Sequence, residues 1–132
     1  AVARAVHEHG GHGMGVVPQI LAQRNRVSEY IDTTVHTADL NDRKQMLIEQ
    51  SDIIVVLPGS VGTLDEVFTV MAANTIGIHE KRLVFWNIHG FWDDLFRLFE
   101  GLEQRGAINK PMNELMDRAD TLEELIEVIR NA

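Results

Sequence analysis

The chain has 132 residues and 45% apolar composition, enough for one domain with a real core, and its lack of cysteine excludes disulfides and thiolate chemistry. Twenty acidic against twelve basic residues give a formal charge of −8, which argues against a broad basic surface for nucleic acid but leaves room for a small anion held by local donors. No apolar run approaches the roughly 20 residues of a membrane span and no leader with a cleavage site is visible, so the expectation is a soluble, cytoplasmic protein without a membrane partner.

Ala1 to His9 reads as the tail of an amphipathic helix stopped at Gly10-Gly11, and Met14 to Val17 as a short strand ending at Pro18. A compact α/β domain rarely begins on a helix that follows nothing. At least one strand and its loop are therefore expected ahead of Ala1, and residues 1–132 are read as a single domain that is incomplete at its N-terminus. Gln19 to Tyr30 is polar and poorly periodic, a surface loop or short helix, and Thr33 to His36 is a brief strand. Asn41 or Asp42 is placed to cap a helix through Arg43, Lys44, Met46, Leu47 and Ile48. Ile53 to Leu57 is a run of five aliphatic residues without alternation, which reads as a strand buried on both faces of a parallel sheet.

Pro58 and Gly59 end that strand, and Ser60 or Thr63 can cap a following helix through Val67, Phe68, Val70 and Met71. Gly77 breaks this helix, and Arg82 to Asn87 reads as another buried strand, so βαβ units repeat along the chain. Gly90 opens a loop into an apolar helix carrying Trp92, Leu95, Phe96, Leu98, Phe99 and Leu102. Thr121-Leu122-Glu123-Glu124 has capping-box spacing and starts a last helix with Leu122, Leu125, Ile126 and Ile129 inward. The fold class is α/β, a parallel sheet flanked by helices.

Leu57 to Glu66 is the most specific stretch, because it sets a phosphate-sized turn and carboxylates at the end of an apolar strand. Gly59 and Gly62 allow a sharp turn that exposes N–H groups, and a helix N-terminus reached in this way favours an anion. The loop is neither a Walker A motif nor a Gly-x-Gly-x-x-Gly fingerprint, which weakens ATPase and NAD readings. Glu66 falls in the first turn of the inferred helix, where a carboxylate serves the dipole or chemistry, and Asp65 is its solvent-facing neighbour. Arg43-Lys44 begins the neighbouring helix, and parallel topology is expected to bring it and the loop to one edge of the sheet. His7, His9 and His12 read as a surface cluster in preference to a metal site, and His79 and His89 as loop hydrogen-bonding groups. The aromatic residues Phe85, Trp86, Phe91, Trp92, Phe96 and Phe99 read as core or a dimer face.

These residues resemble the lonely guy family, cytokinin riboside 5′-monophosphate phosphoribohydrolases long labelled as possible lysine decarboxylases. The family's Pro-Gly-Gly-x-Gly-Thr-x-x-Glu loop stands here as Pro58-Gly59-Ser60-Val61-Gly62-Thr63-Leu64-Asp65-Glu66, and its Arg-Lys pair as Arg43-Lys44. Gly15-Val16-Val17-Pro18, Gly77-Ile78-His79 and Asn87 to Leu95 extend the likeness over nearly the whole chain. The resemblance implies a Rossmann-like parallel sheet, a homodimer, and hydrolysis of the N-glycosidic bond of a nucleoside 5′-monophosphate such as a cytokinin nucleotide or AMP, with no cofactor. It places Arg43 and Glu66 on the family's catalytic positions. Lys44, Gly59, Ser60, Val61, Gly62, Thr63 and Asp65 fall to substrate and phosphate binding.

Ser60 stands where the family has a second glycine, Asn25 where a glutamate is common, and Ala72-Ala73 where a Thr-Trp pair is common. The last two bear on base preference. If position 60 needs a positive φ, serine there carries a strain. The family's first strand and glycine-rich phosphate loop are not in this sequence, which motivates an alternative reading as a nucleotide-binding or dimerisation module without turnover. An amino-acid decarboxylase has no lysine in a recognisable pyridoxal phosphate context.

Overall fold

The computed structural model describes residues 1–19 and 28–132, which form two compact units, Ala1–Gln50 and Ser51–Ala132. The expected loop or short helix between Gln19 and Tyr30, and the Asn25 position, lie largely outside the described residues. Parallel sheets flanked by helices make the fold α/β, with elements numbered below over the described residues.

In the first unit, α1 (Val2–Glu8) leads into β1 (Met14–Pro18), which pairs in parallel with β2 (Thr33–Thr37) from Met14↔Thr33 to Pro18↔Thr37. Val16, Pro18 and Thr37 are buried, and α2 (Leu40–Glu49) packs on both strands. The helix starts earlier than the sequence implied. Asp39 is its N-cap, in extended conformation, and its carboxylate accepts from the N–H groups of Asn41 (2.7 Å) and Asp42 (3.0 Å). Asn41 and Asp42 are thus the capped residues, and their orphan amides are satisfied from the residue before the helix.

The second unit is a three-stranded parallel sheet, β3 (Ile53–Val56), β4 (Arg82–Trp86) and β5 (Asp117–Ala119), in the order β3-β4-β5. Register runs Val56↔Phe85 on one side of β4 and Trp86↔Ala119 on the other. Alternation splits the strand residues between two faces. On one, Val84 and Ala119 bury Leu125 of α6 (Leu122–Arg130), with Ile53, Val55 and Trp86 around them. On the other, Phe85 meets Trp92 and Phe96 edge-on, with ring centroids 5.6 and 5.4 Å apart, so α4 (Asp93–Gln104) covers this face. A further edge contact, Phe68 to Phe99, ties α3 (Val61–Thr75) to α4. Short α5 (Met112–Leu115) precedes β5 and buries Leu115.

Two expectations change, and two elements are new. Only Val56 of β3 is buried, the other strand residues being half-buried, because β3 pairs with β4 alone among the described residues. In α6 only Leu125 faces inward fully, while Leu122, Ile126 and Ile129 remain exposed, since a three-stranded sheet offers that helix a narrow seat. Elements α5 and β5, four and three residues long, carried no periodic signal. The capping box is present in both halves, Thr121 Oγ1 accepting from Glu124 N–H and the Glu124 carboxylate accepting from Thr121 N–H.

Candidate active site

The loop after β3 is built by close approach. Gly59 has no positive φ, but a Cβ there would lie 2.8 Å from Thr63 Cβ and would press on Thr63 Oγ1, so glycine lets Thr63 fold back over the turn. Thr63 is accordingly the third residue of α3 and not its cap. Ser60 holds the N-cap position at φ −112° and makes no side-chain cap hydrogen bond. This φ is ordinary for an L-residue, so serine in place of glycine carries no backbone strain.

The first helical bond joins Leu64 N–H to the Ser60 carbonyl, at 3.2 Å. The amides of Val61, Gly62 and Thr63 therefore precede the hydrogen-bonded ladder, at an end that no side chain caps. Such amides, together with the helix dipole, suit a phosphate.

Glu66 does not lie in the first turn of α3, because the helix begins at Val61 and puts it in the second. A dipole role at the helix start no longer accounts for it. It is half-buried, whereas Asp65 is exposed, as the sequence implied. Residues four apart share a helix face and side chains lean toward the N-terminus, so Glu66 extends along the face of Gly62. Nothing within 4 Å would meet a Cβ on Gly62, so the helix surface at Gly62 itself is open.

Arg43 and Lys44 lie in the first unit, half-buried in α2, and the glycine loop lies in the second. Arg43 Nε donates to the Val16 carbonyl at 3.2 Å, which fixes the guanidinium to β1.

Sequence reasoning read Asn87 as the end of a strand and the start of a stretch shared with the family, with no role of its own. Its side chain, 1% exposed, organises the carboxyl ends of β4 and β5. Nδ2 donates to Asp93 Oδ1 (2.8 Å) and Asp120 Oδ1 (2.7 Å), and Oδ1 accepts from Trp92 N–H (2.7 Å). Arg118 forks onto Asp120 with two 2.7 Å bonds and lies 4.9 Å over the Phe96 ring. These bonds hold the Asp120 carboxyl below the usual aspartate range, Arg118 first and Asn87 second, and Asp120 in turn raises the Arg118 guanidinium. A lone amide closing an apolar strand was the available signal.

The other histidines divide. His79 Nδ1 lies 2.6 Å from the buried Asn74 Oδ1, a loop hydrogen bond as expected. His7 and His12 flank Asp32 at 3.6 and 3.8 Å, and His9 Nδ1 sits 2.8 Å from the Ala5 carbonyl; all three are exposed. Among the described residues no helix is long and apolar enough to cross a membrane.

The family model described as "Possible lysine decarboxylase" matches residues 1–129. Over 126 residues the chain is 31% identical to the cytokinin riboside 5′-monophosphate phosphoribohydrolases LOG3 and LOG5 of Arabidopsis thaliana, covering 96% of this chain and 59% and 55% of theirs. It is 33% identical over 126 residues to the probable cytokinin riboside 5′-monophosphate phosphoribohydrolase LOGL2 of Oryza sativa subsp. japonica, covering 96% of this chain and 52% of that one. The chain thus spans between half and two thirds of the length of these relatives. With the family model matched almost from end to end, the chain belongs to the lonely guy family, whose model keeps the lysine decarboxylase description.

Proposed function

We propose that this protein hydrolyses the N-glycosidic bond of an adenine-type nucleoside 5′-monophosphate, cytokinin riboside monophosphates first and AMP second, releasing free base and ribose 5-phosphate. The observation that carries the reading is Glu66, half-buried one helical turn below the open face of Gly62 and behind an uncapped helix N-terminus. The names of the relatives support the reaction class.

Breaking the bond develops positive charge on the ribose ring. A carboxylate beside the anomeric carbon stabilises that charge and orients the water whose oxygen bonds to the carbon as the base departs with the bonding pair and takes up a proton. Glu66 fills this role. The amides from Gly59 to Thr63, with the Ser60 and Thr63 hydroxyls, hold the 5′-phosphate and so place the ribose. Arg43 supplies a rigid fork of donors for phosphate or carboxylate and Lys44 a point charge, while Asp65 borders the substrate from the exposed side. No cofactor is needed for this chemistry. A homodimer belongs to the reading: α3 leaves Val61 and Phe68 exposed and Ile76 follows at its C-cap, apolar surface that a second copy would cover.

The test is base release from AMP and isopentenyladenosine monophosphate by the full-length protein, with Glu66→Gln beside it. Glu66→Gln is expected to lower kcat by about 100-fold or more while nucleotide still binds. Binding by the wild type without base release would instead favour a nucleotide-binding module, and an equally active Glu66→Gln would remove the carboxylate from the chemistry.

A further inference from the structure

We infer that His89 meets the base of the bound nucleotide and helps to set base preference, an inference that rests on the nucleotide reading above. Three observations in the second unit converge on it. The first is register. Val56 pairs with Phe85, so Pro58 and Asn87 are each the second residue beyond the last paired position. The glycine loop and the turn Asn87–Gly90 therefore leave the sheet at one height, on parallel strands roughly 5 Å apart. Ligands of open parallel sheets bind beyond this carboxyl edge.

The second observation is conformation. His89, at φ 53° and ψ 29°, is the one non-glycine residue with positive φ among the described residues. Gly90 follows at φ 70°, and Phe91 N–H closes the turn onto the Ile88 carbonyl at 3.2 Å, the pattern of a type I′ turn. Glycine occupies this backbone with less strain than any residue that carries a Cβ. The side chain gives the fold nothing in return: it is exposed, and no hydrogen bond to it is found among the described residues. The turn is held by Asn87 beneath it, so the outlier is imposed by the fold and the imidazole is presented outward.

The third observation is charge. Asp93 and Asp94 follow the turn and Asp120 is anchored beside it through Asn87. Arg118 pairs with Asp93 and Asp120 and Arg97 with Asp94, so two arginines face three aspartates and the cluster stays net acidic. It suits a phosphate less well than the amides of α3 do, which leaves this turn to the neutral end of a nucleotide. An imidazole offers one donor, one acceptor and a ring face, and Phe91, 52% exposed, adds aromatic surface next to it.

The test compares binding of AMP and of ribose 5-phosphate, which lacks the base, to the full-length wild type and to His89→Asn and His89→Gly, with a thermal melt of each. Both variants suit a left-handed backbone and are expected to keep or raise Tm. AMP affinity is expected to fall roughly tenfold, with ribose 5-phosphate affinity unchanged. Unchanged AMP affinity, an equal loss for both ligands, or a wild type that binds no AMP each overturns the assignment. A wild type that binds AMP but releases no adenine overturns the hydrolase reading alone, and the His89 comparison still decides its own question.

Discussion

At Gly62 the requirements of fold and of function part company. Its backbone is helical, it has no positive φ, and a Cβ would meet open space. A helix position of this kind favours alanine by about 0.5–1 kcal/mol. Gly62→Ala is therefore expected to raise Tm by a few degrees while lowering base release, because its methyl group would occupy the open space that the proposed function gives to the ribose. Thermal melts and turnover on one preparation check this, and a variant both more stable and fully active would move the ribose elsewhere. Gly59 is the opposite case, its missing side chain already used by Thr63. The sequence showed both glycines and the carboxylate but not this division, since φ and neighbour contacts depend on where α3 begins. One helix start, at Val61, settles three readings together: Ser60 is unstrained, Thr63 is not the cap, and Glu66 belongs to the second turn.

Helix starts are also where local chemistry gives measurable stability. Asp39 satisfies two amides of α2 and so orients the turn that carries Arg43. Asp39→Ala is expected to cost about 1 kcal/mol, read as a lowered denaturation midpoint with an unchanged slope. If Arg43 serves the reaction through its position, turnover falls with the cap even in conditions where the protein remains folded. The capping box of α6 was legible because Thr121 and Glu124 form a local pair at fixed spacing. Asp39 was not, because three acceptors compete within Asp39-Leu40-Asn41-Asp42 and only the backbone decides which one precedes the helix. β4 was legible for a different reason: covered on both faces, it needs apolar residues throughout, as Leu83, Val84 and Phe85 show. β5 takes its place by pairing with β4, through Asp117, Arg118 and Ala119, and two of these three are charged.

On the scale of the molecule, the question is whether the two compact units unfold together, and two aspartates give a way to ask it. Asp32, in the first unit, is held below the usual aspartate range chiefly by the Gly13 N–H at 2.7 Å, with His12 and His7 adding to it. Asp120, in the second, is held down by Arg118 and Asn87. A carboxyl whose folded pKa is depressed gives stability that is fully present above its unfolded value, about 3.9, and is lost as pH falls through the folded value. Stability should therefore hold from neutrality to about pH 5 on account of these groups and decline below about pH 4. Both tryptophans, Trp86 and Trp92, belong to the second unit, so their fluorescence reports on it directly. Asp120→Asn removes the titrating group and is expected to make the fluorescence-detected acid limb shallower. Asp32→Asn separates the two possibilities: units that unfold independently leave the tryptophan limb as in the wild type, whereas a single cooperative transition makes it shallower too. A tryptophan limb altered equally by both substitutions would establish one cooperative domain.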